Sequence, residues 1–312
     1  MTIKVSLLGI GNMGRNHLRI LSLLKNVEVV SVFDVNEVAL NKISQQYNVP
    51  YTMNADEAIS LADAVVIVTP TSTHFEYFLK CVGKVKNVFI EKPLADTHER
   101  GEKIKKLAQE NNINIQCGFI ERFNPVVKEM KRILGSETVI NADFERTNRL
   151  SSRITDVDVV LDLMIHDIDL ALYLNGPVKN VVAFGQKENG IVAFASALFH
   201  HENGALSRVL ASRMTEKKIR SIQITTDKSY IDGDLLRKEL IIHQQSNTVQ
   251  EADKPYVISS LEQQVQVLPQ EALLTELQAF IGLCSGESVD IPDVEAGLDS
   301  LKISEQILNS IG

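Results

Sequence analysis

Ile3-Lys4-Val5-Ser6-Leu7-Leu8-Gly9-Ile10-Gly11-Asn12-Met13-Gly14 is the stretch on which the reading of this chain turns. Its apolar residues Ile3, Val5, Leu7 and Leu8 predict a short buried strand, and Leu18, Ile20, Leu21 and Leu24 then recur at helical spacing. A strand therefore ends in glycines, and a helix begins directly behind them. At such a junction the first glycine, Gly9, makes a tight turn, the second, Gly11, lets the backbone approach a pyrophosphate, and the third, Gly14, permits close strand-to-helix packing. The phosphates would sit on the helix N-terminus around Asn12 and Met13, where unpaired N–H groups and the dipole attract anions.

A second apolar run, Val27, Val29, Val30, Val32 and Phe33, ends in Asp34. That is about twenty residues past the third glycine, where an acid is expected on the adenosine ribose hydroxyls. A carboxylate there repels a 2′-phosphate, so the expected cofactor is NAD rather than NADP. The plainer reading of Asp34 is a turn residue ahead of Asn36.

The chain has 312 residues, 44% of them hydrophobic, which suits two domains better than one. Its net charge of -8 argues against nucleic acid or an anionic membrane as partner. Three cysteines, Cys81, Cys117 and Cys284, form no C-x-x-C pair and have no histidine at metal-ligand spacing. They point to a reducing cytoplasm and to no structural metal. The first apolar run is too short, and too soon broken by glycines, for a signal peptide. No stretch approaches the roughly twenty apolar residues of a membrane span.

From Met1 to about Cys117 strands alternate with helices, which predicts a parallel sheet covered on both faces. The strand Ala64 to Val68 stops at Thr69-Pro70-Thr71-Ser72-Thr73-His74. Ligands in such sheets lie beyond the carboxyl ends of strands, so Thr69, Pro70, Thr71 and His74 are placed to line a cofactor cleft. Their hydroxyls would also suit the cap of the helix that follows. The next strand, Asn87 to Ile90, delivers Glu91-Lys92-Pro93. Proline fixes its own dihedral and holds the residue before it extended, so Lys92 is kept out of any helix. Packing does not explain a charged lysine at that edge.

Gly9 to Gly14, Asp34, the Thr69 to His74 loop and above all Glu91-Lys92-Pro93 resemble the glucose-fructose oxidoreductase and inositol dehydrogenase family, Gfo/Idh/MocA. Gly118-Phe119 and Arg122-Phe123-Asn124-Pro125 are similar to that family's crossover into its second domain. The resemblance spans the chain, with the motifs in the right order and spacing. It implies an N-terminal Rossmann-type doubly wound parallel sheet over residues 1–118, with Glu91 and Lys92 among the cofactor contacts. Residues 119–312 would form an α+β domain with an open, mainly antiparallel sheet for substrate binding and oligomerisation.

In the second half a helix from about Pro125 to Leu134 is followed by strand-like runs. These are Thr138 to Arg146, Val178 to Gly185, Ile191 to Phe199, Ala205 to Ser212, Ser221 to Thr226, Tyr230 to Asp232 and Glu239 to His243. Their alternation predicts a sheet with one wet or partner-covered face, and the resemblance implies that this face packs on its copy in a homo-oligomer. Asn247 to Pro255 reads as a polar loop, and Gln270 to Cys284 and Val294 to Ile311 as closing helices.

Between the strands lies Leu161 to Leu174, apolar almost all round. At 100° per residue, Asp162, His166, Asp169 and Tyr173 fall on one stripe. Polar groups on a buried helix must face a cavity, a ligand or partners. Asp162 stands four residues before His166, so its carboxylate can orient the imidazole and favour its charged form, as a general base near neutral pH requires. The resemblance places the active site on Lys92, Asp162 and His166. It implies oxidation of a secondary alcohol of a sugar to a ketone, or the reverse. Either His166 takes the hydroxyl proton while Lys92 hydrogen-bonds the oxygen, or the two exchange roles. One departure is Val157-Asp158-Val159-Val160, where many members carry a glycine pair.

Arg146, Arg149 and Arg153, with Arg122, Arg208 and Arg213, form a basic set in an acidic chain. Arginine forks match phosphate oxygens, so Arg122 and Arg149, with Asp162 and His166, are expected at a (nucleotide-)sugar. An ordinary solvated sheet edge would look the same. The run from Arg153 to Asp169 resembles the family branch that oxidises UDP-N-acetylglucosamine at its 3-hydroxyl. Oxidation of an inositol or another free polyol is the alternative, and an NAD-binding regulator without turnover is a third.

Overall fold

The computed structural model describes residues 2–149, 157–245 and 260–312. The chain divides into two compact units, one of residues 1–123 and 271–302, the other of residues 124–270 and 303–312.

The first unit alternates β1 (Ile3–Leu8), α1 (Asn12–Leu21), β2 (Val27–Phe33), α2 (Glu37–Tyr47), β3 (Tyr51–Thr52), α3 (Ala55–Ser60), β4 (Ala64–Ile67), α4 (His74–Cys81), β5 (Asn87–Glu91), α5 (His98–Asn111) and β6 (Asn114–Gly118). The strands form one parallel sheet in the order β3-β2-β1-β4-β5-β6. Every residue of β4 is buried, as a central parallel strand covered on both faces requires. Side-chain caps punctuate the helices: Asn36 Oδ1 accepts from Ala39 N, Asn54 Oδ1 from Asp56 N, and Thr97 Oγ1 from Arg100 N. Asn48 and Asn112, both with φ of 52°, close α2 and α5 in the left-handed region.

The order of the sheet reverses between β1 and β4, which opens a crevice beyond their carboxyl ends.

In the second unit, α6 (Pro125–Leu134), β7 (Val139–Thr147) and α7 (Ile165–Asn175) precede a run of strands. These are β8 (Val178–Glu188), β9 (Ile191–His201), β10 (Leu206–Ser212), β11 (Ile219–Thr226), β12 (Tyr230–Asp234), β13 (Glu239–Gln245) and β14 (Ser260–Gln264). The eight strands pair in the order β14-β13-β12-β11-β7-β10-β9-β8. Among these pairs only β7 with β10 is parallel. The expected open, mainly antiparallel sheet is therefore present. Its buried face, with Phe144, Ala195, Ala197, Phe199, Val209 and Ile222, packs with Val127 and Met130 of α6 and Ile168 and Ala171 of α7. The polar loop expected over Asn247 to Pro255 lies outside the described residues.

Two helices close the chain, α8 (Ala272–Cys284) and α9 (Val294–Ile311). Leu277 and Phe280 of α8 enter the core of the first unit, where the Phe280 ring meets Phe89 edge-on at 5.7 Å. Gln116 Nε2 also donates to the Glu276 carbonyl at 3.2 Å.

Candidate active site

A cleft of about 590 Å³ opens where the first sheet reverses its order. The loop after β1 supplies Gly9, Gly11, Asn12 and Met13, and β2 with its following loop supplies Phe33, Asp34 and Val35. The β4 side adds Val68, Thr69, Pro70, Thr73 and Tyr77, and the end of β5 adds Glu91 and Lys92.

The three glycines do different work. Gly9 has φ of +97°, and a Cβ there would lie 2.6 Å from the Val68 carbonyl oxygen. A Cβ on Gly14 would lie 2.1 Å from the Gly9 carbonyl oxygen. Gly11 differs, because a Cβ there meets nothing within 4 Å. The first and third glycines are thus demanded by packing, while the second leaves backbone open to a ligand. Gly11 also opens α1 with no side-chain cap. That leaves the N–H groups of the first turn to a ligand or solvent, which fits a dinucleotide pyrophosphate.

Asp34 Oδ2 accepts from Ile10 N at 2.7 Å, and Oδ1 accepts from Asn36 N at 2.9 Å. The carboxylate thereby ties the glycine loop to the end of β2 while still lining the cleft. Thr73 Oγ1 donates to Thr69 Oγ1 or to the Pro70 carbonyl, at 2.8 and 2.7 Å.

Not every residue expected at the cofactor lines the cleft. Gly14 lies inside the turn, and Thr71 begins the short 3₁₀ turn Thr71–Thr73. His74 is buried beneath, with Nδ1 and Nε2 each 2.9 Å from a carbonyl oxygen, of Pro93 and Thr69 respectively. Burial pushes its pKa down, against the pull of those two carbonyls. His74 therefore joins the Thr69 loop to the segment after Lys92 instead of facing a ligand. Phe33 and Tyr77, absent from the sequence reading of the site, line the cleft with rings in edge contact at 5.5 Å. Tyr77 stands four residues beyond Thr73, one turn into the helix behind the hydroxyl loop, and that spacing was its signal.

The helix of the second unit departs from its expected geometry. Residues Val160–Met164 form a wide π-type turn, with Ile165 N bonded to the Val160 carbonyl, and regular α7 starts only at Ile165. The 100° stripe through Asp162 and His166 is thus interrupted between them. Asp162 and His166 are half-buried, whereas Asp169 is buried. Asp162 Oδ2 accepts from Arg213 Nη2 at 2.7 Å. Asp158 caps the turn, its Oδ1 accepting from Val160 N and Leu161 N, both at 2.9 Å.

The basic set resolves mostly into internal pairs. Arg146 and Asp167 form a bidentate pair at 2.7 and 2.8 Å with side chains 2% and 3% exposed, so Arg146 is a core residue and no anion ligand. Arg208 Nε donates to Asp143 at 2.7 Å. Arg149 is exposed and paired with Glu216, Arg122 is half-buried in the turn Ile120–Phe123, and Arg153 lies outside the described residues. Pairing partners far apart in sequence are what the spacing of arginines alone could not reveal.

No helix is long and apolar enough to cross a membrane, and no group of metal-ligating side chains occurs, both among the described residues. Cys81, Cys117 and Cys284 are free thiols, and burial pushes those of Cys81 and Cys284 up to about 12.

The chain is similar over its full length to UDP-N-acetylglucosamine 3-dehydrogenase of Acidithiobacillus ferrooxidans, with 28% identity across 98% of this chain and 96% of that protein. The crystal structure of that enzyme superposes with a TM-score of 0.89, covering 100% of this chain and 98% of that one at 26% identity. The scyllo-inositol 2-dehydrogenase (NAD(+)) of Bacillus subtilis is 26% identical over 77% of this chain and 76% of its own. Residues 3–119 match the model of the oxidoreductase family's NAD-binding Rossmann fold, and residues 134–232 match the GFO/IDH/MocA C-terminal domain. With the glycine loop, the acid at the end of β2 and the lysine at the end of β5 placed around one cleft, the chain belongs to the GFO/IDH/MocA family of NAD-dependent oxidoreductases.

Proposed function

We propose that this chain is a cytoplasmic dehydrogenase that oxidises a secondary alcohol of a nucleotide sugar to a ketone, and that its substrate is UDP-N-acetylglucosamine, oxidised at the 3-hydroxyl. One observation carries the choice of substrate: the likeness to the Acidithiobacillus enzyme runs the whole length of both chains. Inositol dehydrogenases are similar too, some over about half of this chain, and oxidation of a free inositol is the competing reading.

The proposed site uses Lys92, His166 and Asp162. The cofactor, held by Gly9, Gly11, Asn12, Met13, Asp34, Thr69, Pro70 and Glu91, supplies a nicotinamide able to accept hydride. The alcohol must lose a proton from oxygen and a hydride from carbon. His166 takes the proton into its imidazole, and Lys92 donates a hydrogen bond to the same oxygen, stabilising the negative charge that develops there. Asp162 orients His166, and its own carboxylate is held by Arg213. Arg149 and Arg122 bind the diphosphate. The Arg149–Glu216 pair is exposed, so exchanging it for a phosphate costs little.

Purified protein incubated with NAD and, separately, UDP-N-acetylglucosamine, glucose 6-phosphate and inositols is expected to raise NADH absorbance with the nucleotide sugar alone. Turnover of an inositol without any of the nucleotide sugar would transfer the reading to the alternative.

We also propose a homo-oligomer, supported by the open face of the second sheet. Val182 (55% exposed) and Phe184 (76%) project from β8, and Leu198 (48%), opposite Val182, projects from β9. Apolar side chains grouped this way on a sheet face are a feature of subunit contacts. Phe184→Asp is expected to lower the mass in sedimentation equilibrium. A wild-type protein that sediments as a monomer would end this proposal.

A further inference from the structure

His17 is a buried titratable side chain that the chemistry above leaves unused. It lies on α1, is fully buried, and its Nε2 is 2.7 Å from Glu91 Oε1. A carboxylate only accepts, so Nε2–H donates. The other oxygen, Glu91 Oε2, accepts the backbone N–H of Lys92 at 3.1 Å. One path of hydrogen bonds thus runs from α1, the helix opened by Gly11, through the His17 ring and the Glu91 carboxylate to the backbone of Lys92.

The seat of Glu91 is shaped for this. A Cβ on Gly118 would come within 2.8 Å of Glu91 Oε2 and 3.0 Å of its Cα. The Phe89 ring braces His17 edge-on at 5.2 Å. Packing alone would be served by a leucine at position 17, and burying a polar ring beside a carboxylate is costly unless the pair is bonded.

We infer that His17 is a positioning residue: through Glu91 it fixes the backbone that presents Lys92 relative to the helix that receives the cofactor's pyrophosphate. The inference rests on the reading of Lys92 as the group that acts on the substrate oxygen.

The test compares His17→Leu with His17→Gln in the full-length protein, since glutamine can donate to the same carboxylate oxygen. His17→Leu is expected to lower kcat by about 10- to 100-fold, the scale of a small misplacement of a reacting group. The NADH dissociation constant, read by fluorescence, should move by less than about threefold, the reaching helix being intact. Amide hydrogen exchange at Lys92 should accelerate by about tenfold or more as its acceptor loosens. His17→Gln should recover most of both losses. If His17→Leu fails to fold, Gly118→Ala serves instead, because it displaces Glu91 without touching His17. Unchanged Lys92 exchange in the folded variant overturns the inference, as does an equal loss of kcat in the leucine and glutamine variants. Should the wild type oxidise no sugar, the functional reading fails, and the exchange comparison alone decides the role of His17.

Discussion

Lys92→Met is expected to lower kcat by about 10³-fold or more, while NADH still binds within about tenfold of the wild type. Methionine keeps most of the length of the side chain but donates no hydrogen bond. Lys92 follows β5 and lines the cleft with the glycine loop and Asp34. In the proposed site, binding of the cofactor is shared among backbone amides, Asp34 and the Thr69 loop, so loss of one cation there is expected to have a modest effect. The proposed role of Lys92 as a charge-stabilising donor at the reacting oxygen, by contrast, needs a cation, and Lys92 is the one basic side chain among the described residues lining the cleft. Steady-state kinetics on the sugar together with fluorescence titration of NADH separates the two effects. If kcat falls by less than tenfold, Lys92 is no more than a cofactor contact.

Asp167→Ala is the stability change with the largest expected cost, about 3–5 kcal/mol, because it removes the carboxylate that accepts two hydrogen bonds from a guanidinium buried in the core of the second unit. Both side chains of the pair are almost without solvent, and both guanidinium contacts are used. For a domain of this size the thermal midpoint should fall by about 10 °C. The double change Arg146→Met with Asp167→Leu should regain most of the loss, since two apolar groups of similar volume leave no orphaned charge. Thermal melts of the single and double variants provide the check. A single variant destabilised by less than about 1 kcal/mol would mean that water or another carboxylate reaches Arg146. The pair also joins β7 to α7 one residue past His166, so its loss should disturb that helix more than distant substitutions do.

The first unit was legible because its physics is local. Buried parallel strands read as apolar runs such as Ala64 to Val68, and several end in polar or charged residues placed at the mouth of the cleft. Gly9 and Gly11, Asp34, and Glu91 with Lys92 follow one another at the strand ends, and the cleft collects them. His74 stands in the strand-end loop as its position predicts, and both its ring nitrogens lie against carbonyl oxygens, a pairing that no local spacing encodes. A helix with a polar stripe was also legible in the second half. Its interruption at Val160–Met164 was not, because 3.6-residue periodicity assumes an unbroken ladder of hydrogen bonds.

By itself, then, the order of residues determined the alternating parallel sheet, the glycine turn that opens α1, the acid that follows it and the lysine that a proline holds at a strand end. Each is written in neighbours a few positions apart. Only the tertiary structure decided which arginines are available to a ligand, that α8 returns to the core of the first unit, and that His17 reaches the carboxylate beside Lys92. Those are pairings between segments remote in the chain, fixed by packing and by the demand that buried charge find a partner, and no periodicity records them.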